Sequence, residues 1–534
     1  MVRNYFYIGL LSLMFLVQFS CNKTSEIYDD PYGGGQRVIQ IDFVNTPPVP
    51  ANGEAGQAMT FSVKGLKPEM KEKISFMANG MPATVSGFTD STITIILPEN
   101  VSSGGASLRV DGQVFLGPSF TVRGKLGLDP TFNPGNNTGL ANVVNQVLPL
   151  SNGNFALVGN IFSYQGKQLR DLVQINTTGG LVGGFNTGTG ADVGTMNCML
   201  RLPSGEYLAG GSLNSYNGKK GLNGMVRLNP DATLKTRIVD LYVSPGISDP
   251  FMATDTVSYF NGNLLGNVKK LFYYNNQVTA IGNITGYGTY FYERSTKDNK
   301  LISFIPNQQI ARMDLDGNLD SAYSYNTAAR ASLPAGNGSL NDGFMQADGK
   351  LVLVGAFTTF RGKQVNRIVR LNTDGTVDGT FNTGSGANGA IFSIRYNATT
   401  KKIVITGDFS KFNGQDAANI AVLDDNGTLD PGFKSAGFAG GLPMLALQLS
   451  NGLIVVSGFF EKYNNVTRQG LMVLNADGGL TAGYNATGKL NGVINDMVET
   501  KSGVGGLPAV LLGGVIGTFQ GQPIGCIMKL VFNN

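Results

Sequence analysis

Short apolar runs recur along most of this chain, and each is closed by a turn rich in glycine or asparagine. NGNFALV, SGEYLAG, DGKLVLV and NGLIVVS each rise out of a turn into an apolar run. A second set follows at a fixed distance: DLVQIN, GMVRLN, RIVRLN, NIAVLD and GLMVLN. Asx-Gly turns such as TDGTV and DNGTL come next, and then LDPTFN, VDGTFN, LDPGF or TAGYN. Runs this short, bounded by turn residues, predict strands. No 10–15-residue amphipathic pattern with helix caps occurs after the first twenty residues. The spacing predicts a unit of four strands joined by tight turns. In its fourth copy these are a first strand near 341–346, then LVLVGAFTTF, NRIVRLN and TVDGTFN. The unbroken apolar run Leu351–Val354 predicts an inner strand buried on both faces.

An eight-residue motif marks each unit: GNIFSYQG (159–166), GSLNSYNG (211–218), GNITGYGT (282–289), GAFTTFRG (355–362), GDFSKFNG (407–414), GFFEKYNN (458–465) and GVIGTFQG (514–521). The first glycines are 52, 71, 73, 52, 51 and 56 residues apart, the period of a propeller or solenoid. Each first glycine is expected where two backbones approach or bend in a buried strand. The aromatic five places on in six copies, Tyr164, Tyr216, Phe360, Phe412, Tyr463 and Phe519, is expected to wedge between neighbouring sheets. The last glycine supplies φ > 0 in a hairpin turn. Asn465 stands there in the sixth copy and is the residue best able to replace it.

ADGKLVLVGAFTTFRGKQVNRIVRLNTDGTVDGTFN (347–382) resembles the delta-60 repeat, a β-propeller repeat of bacterial envelope proteins. The resemblance covers 124–534, strongly in copies one, two, four, five and six. It implies an all-β, seven-bladed propeller. The last copy ends on its third strand, GCIMKLVFNN, while GKLGLDPTFN (124–133) has the sequence of a spare fourth strand. An N-terminal strand is therefore expected to complete the last blade and close the ring, with Leu128–Phe132 beside Met528–Val531. Closure removes the exposed sheet edges of an open stack.

Residues 38–123 read as a separate strand domain. ISFMANGMPATV followed by STITIILPENVSSGGASLRV resembles the IPT/TIG class of immunoglobulin-like domains, usually spacers or protein-contact modules. At the N-terminus, Arg3 precedes a thirteen-residue apolar stretch (5–17), too short to span a bilayer comfortably. QFSC (18–21) follows, and here the chain resembles a bacterial lipoprotein precursor. That resemblance implies a signal peptide over 1–20, lipidation of Cys21 and an anchor in the outer membrane, on either its surface or its periplasmic side. Residues 21–37 then form a polar, Gly-rich tether.

Composition narrows the function. Only 14% of residues are charged and the net charge is +4, with no dense basic run, so a nucleic-acid footprint is not expected. Histidine is absent, and with it the commonest general base and metal ligand. Neither a cofactor nor a metal site is called for. GSGANG (384–389) fits a dinucleotide fingerprint by letter, but it follows an outer strand with no helix after it and reads as a connection between blades. NTDGTVD and DLDGNLD read as hairpin turns and lack the ligand set of a calcium loop. Cys198 and Cys526 sit in apolar strands and are expected to be buried free thiols.

The third copy has gained sequence on both sides of its motif (239–264 and 287–307). Insertions in a repeat array map to loops, often on the binding face. The second insertion carries Tyr287, Tyr290, Phe291, Tyr292, Glu293 and Arg294, whose rings and charge-paired Glu/Arg suit a sugar or a partner protein. The reading is a non-catalytic, lipid-anchored envelope protein that captures glycans, including polysaccharide, or contacts an outer-membrane uptake complex. The alternative is a propeller-fold glycosidase or lyase working through Asp/Glu pairs.

Overall fold

The computed structural model describes residues 39–135, 142–192, 194–243, 253–326 and 328–533. The readings for the signal peptide, Cys21 and the tether fall outside them. Among the described residues, seven sheets share one topology: an inner strand, an antiparallel second strand and a third strand beside the second. The inner strands are Val143–Pro149, Met196–Arg201, Gly262–Tyr274, Leu340–Met345, Ala390–Asn397, Pro443–Gln448 and Leu490–Lys501. Each touches the next, and the seventh touches the first, so the array is a closed ring of seven blades. The fourth strand is shorter than the sequence pattern predicts. In six blades it shrinks to a single bridge, such as Ile175 to Leu181 or Leu371 to Val377.

The ring closes through the N-terminal segment. Leu126, Gly127 and Leu128 pair with Phe532, Val531 and Leu530 on the third strand of blade seven. The pairing lies slightly N-terminal of the expected 128–132. It stops after the Asp129 N–H, which donates to Lys529 O at 2.8 Å. The chain turns there because the Asp129 carboxylate accepts from Thr131 N and Thr131 Oγ1. Lys529 and Asp129 form an ion pair at 3.2 Å, with side chains 1% and 0% exposed.

The motif glycines have a common cause. Every inner strand carries one extra residue relative to its partner: Asn145, Asn197, Lys269, Asn341, Phe392, Met444 or Asn495. In each blade the motif glycine pairs with the residue just before this bulge. A Cβ there would lie 1.9–2.3 Å from an inner-strand carbonyl oxygen, as at Gly159 against Val143 O and Gly458 against Leu442 O. The bulge bends the inner strand, and only glycine leaves room for the bend.

The motif aromatics Tyr164, Tyr216, Tyr287, Phe360, Phe412, Tyr463 and Phe519 are all at most 1% exposed, packed between blades. The four tyrosines use their hydroxyls to tie down the blade's outer turn, donating to the carbonyls of Gly179, Ala232, Gly317 and Gly478 at 2.7–2.8 Å. Tyr463→Phe is expected to cost about 1–2 kcal/mol, since it takes the partner from the Gly478 carbonyl and from the Ala436 N–H; urea unfolding of the two proteins measures it. The six two-residue hairpins have φ > 0 at both central residues, including 50° and 60° at Asn464 and Asn465. Copy three makes no such turn. Its strand runs on from Gln277 to Tyr290. Cys198 and Cys526 are buried and free.

The N-terminal domain is one continuous eight-stranded sheet wrapped around Met59, Phe61, Phe76, Ile93, Ile95 and Leu108, rather than two separate sheets. The Asn79-Gly80 turn forms as its sequence predicts, with φ of 45° and 78°. The domain docks on the ring: Ser103 Oγ donates to Ala486 O at 2.9 Å, and the buried Arg468 donates to Asn100 O at 2.7 Å. Burial pushes the Arg468 guanidinium down to about 10.

Candidate functional site

The described parts of the two insertions of blade three form one substructure. The first forms a hairpin, Thr236–Asp240 against Thr254–Ser258. The second returns as Ile302–Pro306 and pairs with Gly286–Tyr290, extending the blade. Ser295, 0% exposed, pins the two together. Its carbonyl accepts from Tyr242 N at 2.9 Å, and its hydroxyl donates to Phe291 O at 2.6 Å and accepts from Leu301 N at 2.9 Å. Lys300 of the second insertion pairs with Asp255 of the first at 2.9 Å.

On this base Tyr290 and Tyr292 stack, with ring centroids 5.5 Å apart and planes 23° from parallel. Tyr290 is the last residue of the strand Gln277–Tyr290 and Tyr292 the first of the 3-10 turn Tyr292–Arg294, so the change of direction at Phe291 brings the two rings together. Asn261 clamps the Tyr290 backbone through both its N–H and its carbonyl, at 3.1 and 3.0 Å. The Tyr290 hydroxyl reaches Gly221 O of blade two at 3.2 Å. Burial, reinforced by Tyr290, pushes the Tyr292 phenol up to about 12, so it remains a donor at neutral pH. The pair borders a small cavity of about 70 Å³ lined also by Lys220, Leu222, Ser258 and Lys300.

Three parts of the predicted set change. Tyr287 is the blade wedge, 1% exposed and bonded to Gly317 O, so it offers no ring to a ligand. Glu293 and Arg294 do not form an ion pair with each other. They are neighbours on a tight 3-10 turn, and Arg294 lies over the Phe291 ring at 5.8 Å instead. Phe291 is 39% exposed and joins Ile238, Tyr242, Leu301 and Phe304 as exposed apolar residues of the insertions.

The ring centre holds a second constellation, which the sequence pattern does not show. Arg395 of blade five reaches Asp342 of blade four at 2.6 Å and Asp496 of blade seven at 3.2 Å. Lys270 of blade three also pairs with Asp342. Burial raises the Asp342 carboxyl, but the Lys270 and Arg395 charges outweigh it and hold the group below the ordinary carboxylate range. Around this cluster runs a belt made by the bulge residues. Asn145, Asn197, Lys269, Asn341 and Asn495 each donate to the carbonyl just before the next blade's bulge, at 2.8–3.1 Å. Phe392 and Met444 carry no donor and interrupt the belt at blades five and six. The signal in sequence is asparagine at one register position, visible only once the inner strands are aligned.

The other motifs are structural. Gly384 and Gly386 turn the chain at φ 55° and 67° between blades, and the inner strand Ala390–Asn397 follows. The Asp314 and Asp374 carboxylates accept from amides of their own turns, Asp316 N, Asn318 N and Thr376 N.

The molecule is thus an all-β protein, an eight-stranded N-terminal sheet domain docked on a seven-bladed propeller with one elaborated blade. Comparison agrees with the ring. A family model described as a β-propeller domain of unknown function (DUF5122) matches residues 346–381 and 400–433, within blades four and five. A model for another domain of unknown function (DUF5008) matches residues 16–118. No curated protein matches. Among solved structures, the chain is similar to the computationally designed Ika8 protein (11% identity, 76% of this chain and 100% of that one, TM-score 0.33). It is also similar to an auxiliary nutrient binding protein from Bacteroides thetaiotaomicron (9%, 92% and 100%, TM-score 0.27). A gluconolactonase from Xanthomonas campestris matches at 14% identity over 43% of this chain and 68% of that one, with a TM-score of 0.24. Similarity of this degree assigns neither ligand nor activity.

Proposed function

We propose that this chain is a non-catalytic binding protein of the cell envelope. In this reading it is anchored through lipid on Cys21, spaced from the membrane by the tether and the IPT/TIG-like domain, and presents the elaborated blade to a glycan. The observation that carries the reading is the stacked Tyr290–Tyr292 pair, held by two separate insertions that Ser295 joins. A repeat that needs neither insertion to close its ring has built a fixed aromatic shelf beside Lys220 and Lys300. Aromatic faces with adjacent donors suit the apolar face and hydroxyls of a pyranose ring. No helix among the described residues is long and apolar enough to cross a membrane, so in this reading the lipid carries the attachment.

A glycosidase needs a proton donor with a raised pKa near a second carboxylate. Asp342 and Asp496 are both tied to Arg395. The Asp171 carboxyl is pushed up to about 6 by burial, yet it is 4% exposed and accepts from Ala191 N at 2.6 Å, which leaves it out of a substrate's reach.

The test is a polysaccharide array probed with the purified chain and with a Tyr290→Ala/Tyr292→Ala variant. Binding is expected to fall at least about tenfold in the variant, the scale of losing two aromatic contacts. Equal binding by both proteins, or capture of no glycan, removes the assignment.

A further inference from the structure

The charged cluster of the ring centre borders a cavity of about 390 Å³. Counting its hydrogen-bonding groups separates what the fold uses from what it leaves over. The acceptors are used. Asp342 takes Gly343 N at 2.8 Å, Ile394 N at 3.0 Å, Arg395 and Lys270. Asp496 takes Val147 N at 2.9 Å, Met497 N at 3.0 Å and Arg395. Gln146 Oε1 takes Met199 N at 2.6 Å.

The donors are not used up. Arg395 has five N–H groups, and among the described residues it makes three hydrogen bonds, to Asp342, Asp496 and Ile394 O. Lys269 donates to Leu340 O alone, leaving two N–H groups. Gln146 Nε2 has no partner among the described residues, and Gln146, Lys269, Lys270 and Arg395 all line the cavity. Lys269, Lys270 and Arg395 outnumber the two carboxylates by one; burial lowers both lysines, a cost that an added anion would offset. Phe344, stacked on Tyr396 at 5.0 Å and 6°, supplies an apolar wall on the same cavity.

A surplus of donors on one cavity, with unbalanced positive charge, favours an anionic acceptor. We propose that this cavity binds one small carboxylate-bearing molecule of uronic-acid size. Its carboxylate meets Lys269, Arg395 and Gln146, and its body lies against Phe344. The cavity is within the size range of small-molecule sites. It is separate from the aromatic shelf of blade three and does not depend on that assignment.

The experiment is calorimetric titration of the purified chain with sodium glucuronate and with glucose at one ionic strength. Glucuronate is expected to bind and glucose to give no heat. Lys269→Gln keeps a donor but removes the charge, and is expected to weaken glucuronate at least about tenfold, the scale of one charge-assisted hydrogen bond. If Lys269→Gln does not fold, Gln146→Glu is the second variant. It keeps the acceptor for Met199 N, neutralises the excess charge, and is expected to lose binding. The Tyr290→Ala/Tyr292→Ala variant is expected to bind glucuronate like the parent, which distinguishes this site from the shelf. Absence of glucuronate binding, equal affinity for glucose, or a folded Lys269→Gln or Gln146→Glu variant that binds unchanged overturns the proposal.

Discussion

Asp129→Ala is expected to destabilise the protein by about 3–5 kcal/mol, the scale on which a buried ion pair fails when one partner is removed. The substitution leaves the Lys529 ammonium 1% exposed without its counter-charge. It also removes the carboxylate that turns the chain at Thr131. Among the described residues the N-terminal strand is held to blade seven by three residue pairs and the flanking Asp129 and Asn533 amides, a short seam at which the ring is expected to open first. Asp129→Asn keeps the turn and loses the charge, and should fall between the two. Urea midpoints, with proteolysis of the C-terminal strand as a local probe, read the effect. The pH dependence has a definite sign. Burial raises the Asp129 carboxyl, but hydrogen bonds from Thr131, Ser502 and Lys529 outweigh it and lower the group overall. A lowered carboxyl contributes stability above its unfolded pKa and loses it as pH falls through the folded one. Acid unfolding should therefore be steeper in the parent than in Asp129→Ala. An alanine variant as stable as the parent would mean that backbone pairing alone holds the ring shut.

Gly355→Ala is the second large expectation, at about 3 kcal/mol, the upper end of overpacking costs. The new Cβ would lie 1.9 Å from Ser339 O, a backbone atom held by the inner strand, so no rotamer relieves the contact. Gly362→Ala, seven residues on, is the control. It sits at φ 73° with no atom within 4 Å of the added carbon. Its cost is conformational only, about 1 kcal/mol. Denaturant titration of both proteins ranks them. The opposite order would show that the bulge beside Gly355 can flatten, and the shared explanation for all seven motif glycines would fail with it.

The comparison of these two glycines shows how much of the fold is written locally. Both were assigned from position within an eight-residue motif, and both roles hold, because a close approach and a left-handed turn are properties of a few consecutive residues. The spare strand at 124–133 was legible for the same reason: it carries the letters of a fourth strand and a partner lacking one exists. Its register was displaced, since Asp129 turns the chain through Thr131 and is held at the seam by Lys529, 400 residues away in sequence.

The candidate site was legible as a place and not as an arrangement. Two insertions flank one motif, so the elaborated blade is plain from spacing. Tyr287 is a wedge because it holds the same motif position as the aromatics of the other copies, whereas Tyr290 and Tyr292 stack because the strand runs on to Tyr290 and then breaks into a 3-10 turn. That Glu293 ignores Arg294 depends on a tight turn. The central cluster lay wholly outside what periodicity can express. Asp496 meets Val147 and Arg395 across separations of 349 and 101 residues, and nothing near any of them in the chain marks the meeting.

By itself, then, the sequence determined the repeating unit, its count and its turns, because each is enforced by contacts between near neighbours, and it marked the means of closing the circle, because the spare strand carries the repeat's own letters although its partner lies at the other end of the chain. Which charges face one another inside the circle, and which rings remain to meet a ligand, only the tertiary structure decided. Those pairings exist only where the blades' inner strands converge, and convergence is a property of the closed ring rather than of any one blade.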